Sequence, residues 1–251
     1  MFLHRLTTDV AQEYGLHYYS INDDQYYQTI KQQSWQQFIE KTVENQSELS
    51  CFGPIRGGET DAIFPTDLNN YAAVLHLRDP RDVLTSLFFS HSYSHKREEG
   101  KFNPSDEKRR RWREAGVDAY ALEKMPDYKA RYELLIATLL DSGQAKLVKY
   151  EDLVTDYPTW LTDFLSAFDV LEVPDKKMLG LLNLPNSPAQ IRDRLARKYQ
   201  REFKIPKSED LGAHKRQVKP GEHKDKLQPE TIATLNQAFG AVLERLGYAL
   251  T

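Results

Sequence analysis

Arg78 and Ser86 bracket the stretch of this 251-residue chain with the clearest chemical content. The near-continuous apolar run 71–77 precedes Arg78, the pattern of a strand covered on both faces. Asp79 is suited to cap the next helix, with Pro80 at its first position and Asp82 at its third. In an open α/β sheet, ligands bind beyond the carboxyl ends of the strands. Arg78 therefore sits where a planar cation grips a phosphate through two parallel N–H bonds. The same residues carry a plainer reading, in which Asp79, Pro80 and Asp82 only start a helix and Arg78 pairs with a carboxylate.

Two further segments carry polar chemistry. Tyr150, Glu151 and Asp152 close a short strand with an acidic turn. Residues 214–226 form a basic loop holding a single glycine, Gly221. Residues 189–226 contain twelve Lys or Arg against six Asp or Glu, whereas residues 1–70 contain four against ten. In a chain of net charge -3, that contrast suggests a local anion site rather than a general nucleic-acid surface, although composition alone favours the plainer reading of a solvated helix face plus a basic loop. The one cysteine, Cys51, excludes an internal disulfide and a Cys-built zinc site, and reads as a small core residue. No cluster of His, Asp and Glu has metal-ligand spacing, so no metal is expected.

The elements that must position these residues follow from periodicity and punctuation. Helices are expected over 2–14, 24–44, 80–93, 105–140, 157–168, 176–182, 188–203 and 229–246. Strands are expected over 16–21, 49–55, 71–77 and 145–150. Pro229 suits the first position of the last helix and Gly247 the residue beyond its end. Strands alternating with helices predict an α/β layer with a mainly parallel sheet, built as a single domain over residues 1–251.

Taken in order, these segments resemble the sulfotransferases that use 3′-phosphoadenosine 5′-phosphosulfate as donor. The Arg78-Asp79-Pro80-Arg81-Asp82 run with Ser86 is similar to their 3′-phosphate motif. Tyr150-Glu151-Asp152-Leu153 resembles their mid-chain signature. The basic loop and the Leu246-Gly247-Tyr248 ending resemble their C-terminal region. The resemblance covers about residues 1–20 and 70–250. It implies a three-layer, P-loop NTPase-like fold, a parallel sheet flanked by helices. It also implies transfer of a sulfuryl group to a hydroxyl or amine, on a small-molecule or carbohydrate acceptor.

Carried over by residue, the resemblance gives the 3′-phosphate to Arg78 and Ser86, with the loop arginine Arg216 reaching the same group. It puts Tyr150 near the adenine. Three features depart from the family. The basic loop has Arg216-Gln217-Val218 and then Gly221-Glu222-His223-Lys224, where the family favours Arg-Lys-Gly and then Gly-Asp-Trp-Lys. The family's strand and Ser-Gly-Thr loop for the 5′-phosphosulfate have no counterpart, because Phe2 and Leu3 already match the helix that follows them. The register of the family's Lys-Thr-His segment holds Ser50 to Arg56. Arg56 suits charge stabilisation of the sulfuryl group, but an arginine is no general base. His17, entering Tyr18 and Tyr19, is the base expected on this resemblance; His91 and His95 are poorer candidates. The alternative these departures raise is a truncated or inactive relative that binds 3′-phosphoadenosine nucleotides without catalysis.

Other classes are disfavoured. No apolar run approaches the ~20 residues of a membrane helix, and no Walker lysine element is present. Arg192, Arg194, Arg197, Lys198 and Arg201 spread around a helix without interleaved aromatics, unlike a nucleic-acid surface. The cysteine usage and the lack of a secretory segment lead to an expected cytoplasmic location.

Overall fold

The computed structural model describes residues 2–20, 35–45, 50–54, 73–94, 104–143, 145–169, 187–200 and 219–250. In chain order the elements are α1 (Phe2–Glu13), β1 (His17–Tyr19), α2 (Trp35–Asn45), β2 (Ser50–Phe52), β3 (Ala73–Leu77) and α3 (Pro80–Phe89). There follow α4 (Asp106–Leu135), β4 (Ala145–Lys149), α5 (Tyr150–Thr155), α6 (Tyr157–Ser166), α7 (Pro188–Tyr199), α8 (His223–Lys226) and α9 (Pro229–Leu246). The chain is mixed α/β and mostly helical, with two small parallel sheets, β1 with β2 and β3 with β4. In the first sheet His17, Tyr18 and Tyr19 lie opposite Ser50, Cys51 and Phe52. The expected helix over 176–182 and most of the loop over 204–227 fall outside the described residues.

The chain divides into two compact units, one of Met1–Leu75, Ser142–Lys146 and Tyr157–Phe203, the other of His76–Asp141, Leu147–Asp156 and Lys204–Thr251. In the first, α1 buries Leu6, Val10 and Ala11, the stripe its three- and four-residue spacing predicts. Phe2 packs its ring about 6 Å from the rings of Tyr157, Trp160 and Tyr199. Trp160, Leu161, Phe164 and Leu165 of α6 and Ile191 and Leu195 of α7 complete this core. The basic face of α7 is answered by carboxylates: Arg192 pairs with Asp169, Arg194 with Glu13 and Lys198 with Asp9. Those cations are thus spent within their own unit rather than presented as one stripe.

In the second unit, Leu84 and Phe88 of α3 and Trp112, Tyr120 and Tyr132 of α4 are buried. So are Leu235, Phe239 and Leu243 of α9. The expected helix over 105–140 breaks at Gly116, whose φ of 86° and ψ of 172° are outside helical space. The helix resumes and ends in a π-helical turn, Ile136–Leu140; α3 likewise runs into one, Ser90–Ser94. Pro229 opens α9, and Gly247 closes it at φ 68° with its N–H on the Glu244 carbonyl. The Tyr248 N–H bonds the Leu243 carbonyl 2.8 Å away, which completes a Schellman stop. Along β3, Leu75 and Leu77 are buried while Ala73, Val74 and His76 are half-buried. Burial is thus deepest at Leu75 and Leu77 on one face, while Val74 and His76 on the other are only half-buried where the apolar run predicts full cover.

Candidate anion-binding site

Asp79, at the end of β3, receives the Arg81 N–H at 2.9 Å as the helix cap, and Pro80 takes the first helical position. The two arginines of this motif then part. Arg81 is 2% exposed and turns its guanidinium back onto Asp79, with Nε at 3.0 Å from Oδ1 and Nη2 at 2.6 Å from Oδ2. Its Nη1 donates to Asn236 Oδ1 at 2.6 Å and its Nη2 to the Ala249 carbonyl at 2.9 Å. Glu151 braces the same turn. One oxygen accepts the Asp79 N–H at 2.9 Å and the other the Tyr248 hydroxyl at 2.7 Å. Burial, then the Glu151 charge, pushes the Tyr248 hydroxyl far above its ordinary value.

Arg78 is held differently. Its guanidinium carbon sits 4.8 Å from the centre of the Tyr150 ring, a cation–π contact. Its Nη2 lies 3.6 Å from Asp82 Oδ2, an ion pair too long to be a hydrogen bond. Its Nε is buried and has no hydrogen-bond partner. The Tyr132 hydroxyl fixes the backbone here by donating to the Arg78 carbonyl at 2.6 Å. Arg78 is thus a positioned cation with an unused donor, next to a carboxylate that is occupied elsewhere.

That carboxylate is the centre of the site. Asp82 Oδ2 accepts the Gly221 N–H at 2.7 Å, and Oδ1 accepts the His223 N–H at 2.9 Å and His223 Nδ1–H at 2.6 Å. A carboxylate only accepts, so the Nδ1 proton is assigned by its partner. Burial alone pushes the Asp82 carboxyl up. The His223 ring bond, the Arg78 charge and the two backbone N–H groups overcome it and hold the group below the ordinary carboxylate value. Gly221 has a φ of 79°, the left-handed region that lets this turn aim its N–H inward. Arg78 and the Gly221 turn therefore meet at one oxygen of Asp82.

Ser86 follows Asp82 by one helical turn and is half-buried. The neighbouring Thr85 hydroxyl folds back to the Arg81 carbonyl at 2.9 Å, whereas the Ser86 hydroxyl makes no hydrogen bond to a described residue. The spacing 82, 86 puts Asp82 and Ser86 on one face of α3, whereas Arg78 precedes the Asp79 cap at the end of β3. Tyr150 opens α5, and its ring lies 4.8 Å from the Arg78 guanidinium carbon and 6.2 Å from the His76 ring. It therefore serves as the support of Arg78. Burial pushes its hydroxyl above the ordinary value.

His17 is exposed on β1 of the first unit, its ring 4.5 Å from that of Tyr19. Arg56, Arg216 and His95 are outside the described residues. His91 contacts the Tyr120 hydroxyl at 2.6 Å and stacks on Trp112, packing around the Gly116 break. Cys51 is buried, and burial pushes its thiol up to about 12, so it behaves as core. Among the described residues no group of three His, Cys, Asp or Glu side chains is arranged for a metal, and no helix is long and apolar enough to cross a membrane.

Sequence reasoning did not single out His223 and Glu151 as partners of the Arg78 turn. The only signal for His223 was its departure from the family's loop pattern, and Glu151 was visible only as part of an acidic turn. A set of partnerships in the first unit went unread as well. The Tyr18 hydroxyl donates to the Gly53 carbonyl, and His4 Nδ1 lies 2.8 Å from the same hydroxyl. Comparison with known proteins finds no matching family model, no matching curated protein and no matching solved structure.

Proposed function

We propose that this chain binds the 3′-phosphate of a 3′-phosphoadenosine nucleotide and transfers a sulfuryl group from 3′-phosphoadenosine 5′-phosphosulfate. The acceptor would be a hydroxyl or amine of a small molecule or carbohydrate. The observation that carries this reading is Arg78: a cation fixed at the end of a parallel strand, with a buried Nε that has no partner. A buried donor without an acceptor is costly, and a phosphate oxygen relieves it. The Ser86 hydroxyl, one turn along α3 from Asp82, supplies a second donor on this reading. These residues fit a phosphate; Arg216 would add a third contact from the loop. The donor nucleotide supplies the sulfuryl group. The resemblance gives charge stabilisation of the transferred group to Arg56 and the acceptor proton to His17.

The P-loop-like, three-layer arrangement belongs to the same proposal. Its support is the sequence of parallel strand, Arg78 and capped helix, with a second parallel strand paired beside the first. A cytoplasmic location fits a chain whose one thiol is buried and uncrosslinked.

Two measurements test the proposal. Calorimetry should show adenosine 3′,5′-bisphosphate binding more tightly than adenosine 5′-phosphate by at least about ten-fold. Radiolabelled donor should then transfer its sulfuryl group to a member of a panel of phenols, amines and sugars. Equal affinity for the two nucleotides would remove the 3′-phosphate reading. Discrimination without turnover would leave a nucleotide-binding protein that does no chemistry.

A further inference from the structure

We propose that His223 is a positioning residue that keeps Arg78 free for an anion by filling the carboxylate that Arg78 would otherwise grip. The inference rests on the reading of Arg78 as the phosphate ligand, and its argument is one of acceptor sites. A carboxylate offers about four, two on each oxygen. At Asp82, both sites of Oδ1 are taken by His223, through its backbone N–H at 2.9 Å and its ring Nδ1–H at 2.6 Å. One site of Oδ2 is taken by the Gly221 N–H at 2.7 Å. A single site remains, and Arg78 Nη2 stands 3.6 Å from that oxygen.

An arginine four residues before an aspartate would ordinarily close a fork, one N–H on each oxygen, the strongest pairing available to it. Here Oδ1 has no room, so the fork cannot form. Arg78 keeps one loose ion pair and the face of Tyr150, and its Nε stays without an acceptor. Arg81, three residues on, shows the closed state of the same chemistry, with both oxygens of Asp79 in its fork. His223 is 1% exposed and its Nε2 is buried without a partner, so the ring spends its one hydrogen bond on Asp82.

The experiment compares His223→Phe and His223→Gln with His223→Asn. Phenylalanine keeps a ring but loses the Nδ1–H. Glutamine places its amide nitrogen one bond too far along the side chain. Asparagine keeps an N–H where Nδ1 was. The first two should let Arg78 fork onto Asp82, weakening adenosine 3′,5′-bisphosphate binding by about ten-fold, while His223→Asn stays near wild type. Adenosine 5′-phosphate should bind all four proteins alike. The Arg78 Nε–H resonance should shift in the ligand-free Phe and Gln variants, a change that loosened packing alone would not give. Circular dichroism identifies which variants are folded, and either loss variant suffices. Wild-type binding in a folded loss variant, equal weakening for both nucleotides, or an unmoved Arg78 resonance would overturn the inference while leaving the anion site standing. A wild-type protein that binds neither nucleotide would instead remove the anion site, and this inference with it.

Discussion

His223 Nδ1 donates to Asp82 Oδ1 at 2.6 Å, joining residues 141 positions apart in a contact that excludes water from both side chains. The bond fastens the Gly221 turn and α8 to the first turn of α3. Its partner carboxylate must be ionised to accept from three N–H groups at once.

This dependence gives a pH prediction. The folded Asp82 carboxyl titrates below its ordinary value of 3.8, through the His223 ring bond, the Arg78 charge and the backbone N–H groups, against burial. A lowered folded value contributes stability that is complete above the unfolded value and is lost as pH falls through the folded one. Urea unfolding should therefore show wild type exceeding Asp82→Asn by about 2–4 kcal/mol at neutral pH, since the Asn amide would face the Gly221 N–H donor to donor. The gap should close progressively below pH 3.8. A gap that stays constant down to pH 2 would mean that the charge on Asp82 is not what the loop holds.

The second prediction separates the two arginines. Arg81 and Asp79 form a buried fork whose remaining donors go to Asn236 and the Ala249 carbonyl. Removing Arg81 leaves a buried carboxylate and two orphaned acceptors. Arg81→Ala should cost about 3–5 kcal/mol by denaturant unfolding, the range for breaking one side of a buried pair. Arg78→Ala removes only a loose ion pair and a ring contact, and should cost about 1 kcal/mol or less. Equal losses for the two variants would mean that the fork at Arg81 is not formed in solution.

This difference marks the limit of what the sequence makes legible. Helix α9 is readable from end to end because Pro229 and Gly247 act locally, through a fixed φ and a left-handed one. The cap at Asp79 is readable for the same reason. Arg78 and Arg81 are the same residue type three positions apart. Only Asn236 and Ala249, contributed from the other end of the chain, show which one is bound up in the fold. Asp82 reads as a first-turn acid, and its true partners are 139 and 141 residues away. The break at Gly116 is also hidden, because an isolated glycine within helical periodicity usually stays helical.

A third prediction tests the stop of α9. Gly247 holds a φ of 68°, and a Cβ there would meet only the Lys149 Nζ, at an ordinary 3.4 Å. Gly247→Ala should thus cost about 1 kcal/mol through backbone strain alone, without a clash. Gly247→Asn, which tolerates the left-handed region better, should recover part of it. Thermal unfolding of the three proteins checks the order glycine, asparagine, alanine. An alanine variant as stable as wild type would show that the helix ends by another geometry.

The last prediction concerns Arg78 itself. Its guanidinium is partly buried, held over Tyr150 and restrained by one weak contact to Asp82, so little reorganisation is needed when a phosphate arrives. A charge-assisted hydrogen bond to a phosphate contributes about 1.5–3 kcal/mol. Arg78→Ala should therefore weaken adenosine 3′,5′-bisphosphate binding by about ten- to a hundred-fold. Ser86→Ala should weaken it by less, since it removes one neutral donor. Arg78→Lys should fall between, because an ammonium keeps the charge but cannot present two parallel N–H groups. Adenosine 5′-phosphate lacks the 3′ group and should lose little affinity in any of the three. Salt separates this site from a diffuse basic surface. The 3′-dependent part of the affinity, being short-range and partly buried, should survive a rise in ionic strength that screens exposed charges. If Arg78→Ala weakened both nucleotides alike, and salt erased the difference between them, the guanidinium would be contributing only general positive charge.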